Sequence, residues 1–153
     1  MVSALDVIGA VSEVLGPSIE SLVLSTKLCD LLPALCLDND PEVRQSAFAL
    51  VGDLASNATL HLRPWLPMVL PLLVANMTNM GFVSVSNNAA WALGELCMSM
   101  PSADLAGAVP ELLGALDGML NNKRANLSLM ENASITIGRL GMVLPAEVAP
   151  HLP

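Results

Sequence analysis

Between residues 86 and 96 the chain reads SNNAAWALGEL. At helical spacing Asn88, Trp91 and Glu95 share one side, with Asn87 beside them. A side-chain amide donates and accepts at once, so Asn87 and Asn88 are suited to pairing with the backbone of an extended peptide. Burying an indole removes about 200 Å² of surface, worth several kcal/mol at about 25 cal/mol/Å². Setting Trp91 between an amide and an acid forgoes much of that, unless a ligand covers the ring or it packs sideways on a neighbouring element. This is chemistry of recognition. Bond-making chemistry lacks its parts: His61 and His151 have no nucleophile or carboxylate at catalytic spacing, and no glycine-rich phosphate loop occurs. Cys29, Cys36 and Cys97 are odd in number, without CxxC spacing, and read as small buried hydrophobes. Glu13, Asp53 and Glu95 could pass for a metal cluster by type. They fall on successive structural layers about 10 Å apart, however, which is too wide for one ion. No catalytic residue, metal or cofactor is expected.

The elements that position these groups repeat. The segments LDVIGAVSEVL, QSAFALVGDLA, NNAAWALGELC and ENASITIGRLG align without gaps on Ser12, Gly52, Gly94 and Gly138, giving steps of 40, 42 and 44 residues. That is the period of HEAT and armadillo helix pairs. Each later anchored (B) helix follows an apolar (A) helix containing proline, and Pro33, Pro67 and Pro110 are expected to bend or restart those A-helices. DNDPE at 38–42 offers Asp40 as N-cap and Pro41 as first helical residue; NNKRAN at 121–126 reads as loop. The fold expected is all-α: a right-handed superhelical HEAT-repeat solenoid of antiparallel helix pairs, one domain over 1–153. It divides into a lone B-helix at 1–15, repeats at 18–58, 62–100 and 104–144, and an opening A-helix at 146–153.

Two stripes run along the B-helices. Counted from the anchors, one reads Val7, Ala10, Val11, Val14; Ala47, Leu50, Val51, Leu54; Ala89, Ala92, Leu93, Leu96; and Ala133, Thr136, Ile137, Leu140. Its i, i+3, i+4, i+7 pattern predicts the core face. The other, about 120° around the helix at roughly 100° per residue, reads Asp6, Gly9, Glu13; Ser46, Ala49, Asp53; Asn88, Trp91, Glu95; and Asn132, Ile135, Arg139. Stacked repeats turn it into polar, mainly acidic columns along the concave surface, where solenoids bind extended partners.

The chain carries 14 acids against 6 bases, a formal charge of -8. Nucleic acid is an unsuitable partner, because phosphate contacts require clustered Lys and Arg. Basic peptides are attracted instead. The greasiest stretch, WLPMVLPLLVANM at 65–77, is shorter than the ~20 residues of a membrane span and carries two prolines. No signal-peptide pattern opens the chain, so it is read as soluble and intracellular, with no membrane partner and its N-x-S/T sequons fortuitous.

PEVRQSAFALVGDL (41–54), SVSNNAAWALGEL (84–96), ENASITIGRLG (131–141) and EVAP (147–150) resemble the importin-beta-type nuclear import receptors of the transportin group. The likeness runs over essentially the whole chain but a minor part of such a receptor, and is expected to mark a fragment of the family's C-terminal arch. It implies a shuttling protein of cytoplasm and nucleus that carries cargo bearing proline-tyrosine nuclear localisation signals. The small GTPase Ran and nucleoporins would be engaged through parts outside this stretch. It further implies that Trp91 takes up the hydrophobic or basic N-terminal portion of the signal, that Val83, Asn132 and Ile135 line the same pocket, and that Asp6 and Asp53 lie along its path. The family commonly has isoleucine where Val83 stands, a one-methylene change that tunes the pocket. The columns alone add Asn88 and Glu95, and Asn87 joins them as the neighbouring amide able to bond a peptide backbone. A generic HEAT scaffold, packing a protein helix or subunit on the same face, is the competing reading.

Overall fold

A computed structural model describes residues 1–79 and 81–151. It is all-helical, and no strand occurs among the described residues. The helices are α1 (Val2–Leu15), α2 (Glu20–Thr26), α3 (Leu28–Cys36), α4 (Pro41–Asn57), α5 (Thr59–Leu62), α6 (Leu66–Thr78), α7 (Val83–Ser99), α8 (Ser102–Ala106), α9 (Val109–Leu120), α10 (Leu127–Val143) and α11 (Pro145–Val148). Two layers form. Helices α1, α4, α7 and α10 stack side by side, while α3, α6 and α9 make the second layer and pair with α4, α7 and α10 respectively. Contacts between stacked B-helices keep their order along the chain. Ser46 meets Asp6 near the helix starts, and Asn57 meets Ser12 near their ends, so neighbouring B-helices run parallel. This is a solenoid of antiparallel helix pairs, as the 40-to-44-residue steps require.

Local chemistry sets several boundaries. The Asp40 carboxylate accepts the Glu42 N–H at 2.9 Å, with Pro41 at the first helical position, and this starts α4 sharply. The Asn126 side chain accepts the Leu129 N–H at 2.9 Å and starts α10 after the 121–126 loop. Pro67 and Pro110 sit in the first turns of α6 and α9, where a missing N–H costs nothing. Pro33 behaves differently from the expectation. It lies buried inside α3, and the break falls at Lys27, whose φ of 52° and ψ of 38° separate α2 from α3. Because α3 begins only at Leu28, the Pro33 ring faces no more than its first turn.

The core stripe is buried in the second and third repeats, from Ala47 to Leu54 and Ala89 to Leu96, and in the fourth except for half-buried Ile137. In α1 it is not: Val7 is 61% and Val14 86% exposed, and Ala10 and Val11 are exposed too. Burying that side takes close neighbours on it, and among the described residues α1 packs chiefly on α4 and the turn that follows it, while Val7 and Val11 border an open apolar hollow toward α2 and α3. Helix α1 packs through Leu5, Gly9 and Ser12. The run Val2–Thr26, mean hydropathy 1.5, is long and apolar enough to cross a membrane by length and composition. Gly16 (φ 53°) and the 3-10 turn Gly16–Ile19 divide it into helices of 14 and 7 residues, each short of the ~20 a span takes. The last two residues of the A-helix expected at 146–153, Leu152 and Pro153, lie outside the described residues, as does Met80.

Candidate functional site

The second stripe forms a continuous strip across α1, α4, α7 and α10. Between α1 and α4 lies a shallow hollow of about 270 Å³ lined by Asp6, Gly9, Glu13, Ser46, Ala49 and Asp53, among others. Asp6 Oδ1 accepts the Ser46 hydroxyl at 2.7 Å. Asp53 reaches back over Gly9, where an added Cβ would stand 2.7 Å from Oδ2. Burial, then the charges of Glu13 and Glu95, push the Asp53 carboxyl up to about 6. Like charges thus converge on Asp53 from both neighbouring helices.

At the α4–α7 junction the Asn88 side chain donates to the Gln45 carbonyl at 3.0 Å. The six-membered ring of Trp91 lies directly over Gly52, where a methyl group would collide with it. Trp91 is half-buried and packs against the core from the side. Glycine at this B-helix anchor makes the room for it. The ring therefore does pack on the neighbouring layer, without being sealed from solvent.

At the α7–α10 junction Asn87 Oδ1 accepts from Asn132 Nδ2 at 3.0 Å and from the Ser128 hydroxyl at 3.4 Å. Thr136 donates to the Ala90 carbonyl at 2.9 Å. Arg139 donates to Glu95 Oε1 at 2.6 Å, and Ser56 to Glu95 Oε2 at 3.3 Å. Ile135 is 52% exposed, and Val83, half-buried, begins α7 two turns before Trp91. After these bonds the Asn88 carbonyl oxygen and the Asn87 amide nitrogen have no partner among the described residues. One acceptor and one donor are thereby left on adjacent positions.

The strip thus brings Asp6 and Asp53 into one hollow and sets Asn87, Asn88, Trp91 and Glu95 on the next helix. Asn132 is tied to Asn87, while Ile135 stands exposed on α10. Two residues that shape the strip were not singled out in the sequence: Ser46, which fixes Asp6, and Arg139, which occupies Glu95. Their signal was present, since each faces its partner one repeat earlier, at steps of 40 and 44 residues. The three thiols lie in the core, and burial pushes Cys29 up to about 11 and Cys36 and Cys97 up to about 12, so they stay protonated. Among the described residues no three His, Cys, Asp or Glu side chains converge as metal ligands would.

No protein-family model matches the sequence. Transportin-1 of Mus musculus is 41% identical over 152 residues, which is 99% of this chain and 17% of that protein. Importin subunit beta-2 of Schizosaccharomyces pombe is 36% identical over 155 residues, again 99% of this chain and 17% of the relative. The chain thus spans 17% of the length of these curated relatives. Among solved structures, the karyopherin Kap121p bound to the SUMO protease Ulp1p superposes with a TM-score of 0.77 at 20% identity, covering 94% of this chain and 14% of that one. At that identity the likeness speaks for the helical solenoid fold.

Proposed function

We propose, taking as premise that the chain is homologous over 99% of its residues to the transportin and importin beta-2 karyopherins, that it forms part of a nuclear import receptor. Its concave strip binds one part of an extended, basic and apolar localisation signal of the proline-tyrosine kind. The cargo protein is the partner, and the receptor shuttles between cytoplasm and nucleus; Ran and nucleoporins are engaged by other parts of it. No covalent step is required of any residue here, and the protonated thiols supply no nucleophile.

One observation carries this reading: Asp6, Glu13 and Asp53 line one hollow between α1 and α4, half-buried Trp91 lies over Gly52 on the same strip, and none of the three carboxylates has a cationic partner among the described residues. Unpaired carboxylates attract the Lys and Arg of a passing chain and speed its encounter, while the indole supplies apolar area. Adjacent Asn87 and Asn88, with one donor and one acceptor to spare, match a peptide backbone. In the fold neighbour Kap121p, a karyopherin solenoid is seen bound to a protein, the SUMO protease Ulp1p.

The scaffold reading has its own support in the Trp91–Gly52 packing, which accounts for the tryptophan without any ligand. Fluorescence anisotropy with a labelled basic, leucine-bearing peptide separates the two. Because the ring packs on Gly52, Trp91→Ala lowers the melting temperature on either reading; on the signal-binding reading the folded variant also binds the peptide severalfold more weakly. Unchanged affinity in the folded variant would assign the ring to packing alone and favour the scaffold.

A further inference from the structure

The acidic column is interrupted. Glu13, Asp53 and Glu95 occupy equivalent positions of α1, α4 and α7, and on α10 that position is Arg139. Arg139 turns back along the strip. Its NH1 lies 2.6 Å from Glu95 Oε1, with the two side chains 29% and 20% exposed. It crosses Gly94, where a Cβ would stand 3.0 Å from NH1, with Thr136 Oγ1 2.8 Å away on the same side. Ser56 holds the other Glu95 oxygen. Each oxygen of this carboxylate therefore has a partner within the chain, one of them a full positive charge. Among the described residues the Asp6 side chain bonds the Ser46 hydroxyl and no cation, and the charges that act on Asp53 are the like charges of Glu13 and Glu95.

We infer that Arg139 is a specificity residue: it fills the cation seat at Glu95 from within, dividing the strip into an acidic, cation-binding half over α1–α4 and a charge-balanced half over α7–α10. The inference rests on the signal-binding reading above and adds to it the distribution of charge along the ligand. A Lys or Arg brought over α7 must displace Arg139, leaving that guanidinium unpaired beside an incoming like charge. Such repulsion discriminates as effectively as attraction does. An apolar side chain there meets Trp91 and half-exposed Ile135 without disturbing the ion pair. Over α1–α4 the same apolar side chain would cover unpaired carboxylates, so a cation is preferred. The ligand that fits is a chain with its basic residues clustered at one end and its apolar residues at the other.

The test uses the 153-residue chain and three labelled synthetic peptides of identical Lys/Leu composition. One has Lys clustered before Leu, the second reverses it, and the third alternates the two. Wild-type chain should bind the better clustered peptide at least fivefold tighter than the alternating one. In Arg139→Gln, Glu95 is open to a ligand cation and the alternating peptide should gain at least threefold, the clustered one changing little. Adding Glu95→Gln to that variant removes the seat and should restore the wild-type ratio. Circular dichroism melts confirm that each variant is folded, and Arg139→Ala repeats the measurement should Arg139→Gln lose helicity. A clustered-to-alternating ratio that stays the same in every folded Arg139 variant, with binding still sensitive to Trp91→Ala, overturns this inference alone. Absence of peptide binding to the wild-type chain overturns both it and the signal-binding reading.

Discussion

Asp53 concentrates the electrostatics of the strip. Its folded-state carboxyl titrates at about 6, against an ordinary value of 3.8, because burial and two neighbouring carboxylates disfavour the charge. The folded chain therefore holds this proton more tightly than the unfolded chain does. The stabilisation from the proton is complete below the ordinary value and is lost as pH rises through about 6. Asp53→Asn should accordingly be more stable than wild type near pH 7, with the gap closing toward pH 4, as read by urea midpoints across that range. A gap independent of pH would mean that the carboxyl feels no such surroundings. The acids of this column were readable from the repeat alignment because a fixed offset from each anchor lands on one helix face. The seat of Trp91 was only half readable. The alignment set it on the polar stripe, but its landing on Gly52 depends on how far one layer is rotated against the next, which no single helix encodes. Arg139 shows the converse: a basic residue stands one repeat after Glu95 in the sequence, and it is the stacking of α7 on α10 that joins the two side chains.

At the scale of the elements, the ends of α4 and α10 were legible because caps are local: Asp40 and Asn126 each bond a backbone N–H of their own first turn. The break in the first A-helix was not. Proline was the evident signal, yet Pro33 is absorbed within α3 and the chain turns at Lys27, a residue with no turn-forming character of its own. A left-handed lysine costs roughly 1–2 kcal/mol through the clash of its Cβ with the following carbonyl. Its persistence means that the packing of Val23 in α2 and Cys29 and Leu32 in α3 outweighs this cost. Lys27→Gly removes the clash but loosens the unfolded chain, which offsets part of the gain. The net expected is a stabilisation of about 0.5–1 kcal/mol by chemical denaturation, with Lys27→Ala giving no gain. If alanine matched glycine, the strain would not be at the backbone.

Across the whole molecule, the period of the repeat settled the architecture, but not which faces stay bare, since the first-copy stripe carries the same residue types as its buried counterparts. Burial there is supplied by neighbours, and stability in such a stack approximates a sum of layers and their interfaces. Helices α4 and α7 are covered by B-helices on both sides, whereas α1 and α10 each have one such neighbour among the described residues. Hydrogen exchange should therefore be graded. The slowest amides are expected in α4 and α7, faster ones in α10, and the fastest among the helices in α1 and α2, whose apolar side is exposed. Leu93→Ala, at a fully buried position of α7, removes packing worth about 2–5 kcal/mol. In a nearest-neighbour stack that loss falls on the two interfaces of α7 and should speed exchange in α4 and α10 while changing α1 least. Uniform protection from α1 to α10, collapsing together in the Leu93 variant, would instead mean that the chain folds as one indivisible unit. The strip would then be held rigid along its length, and a ligand spanning α1 to α10 would find its cationic and apolar halves fixed at one separation rather than adjustable between layers.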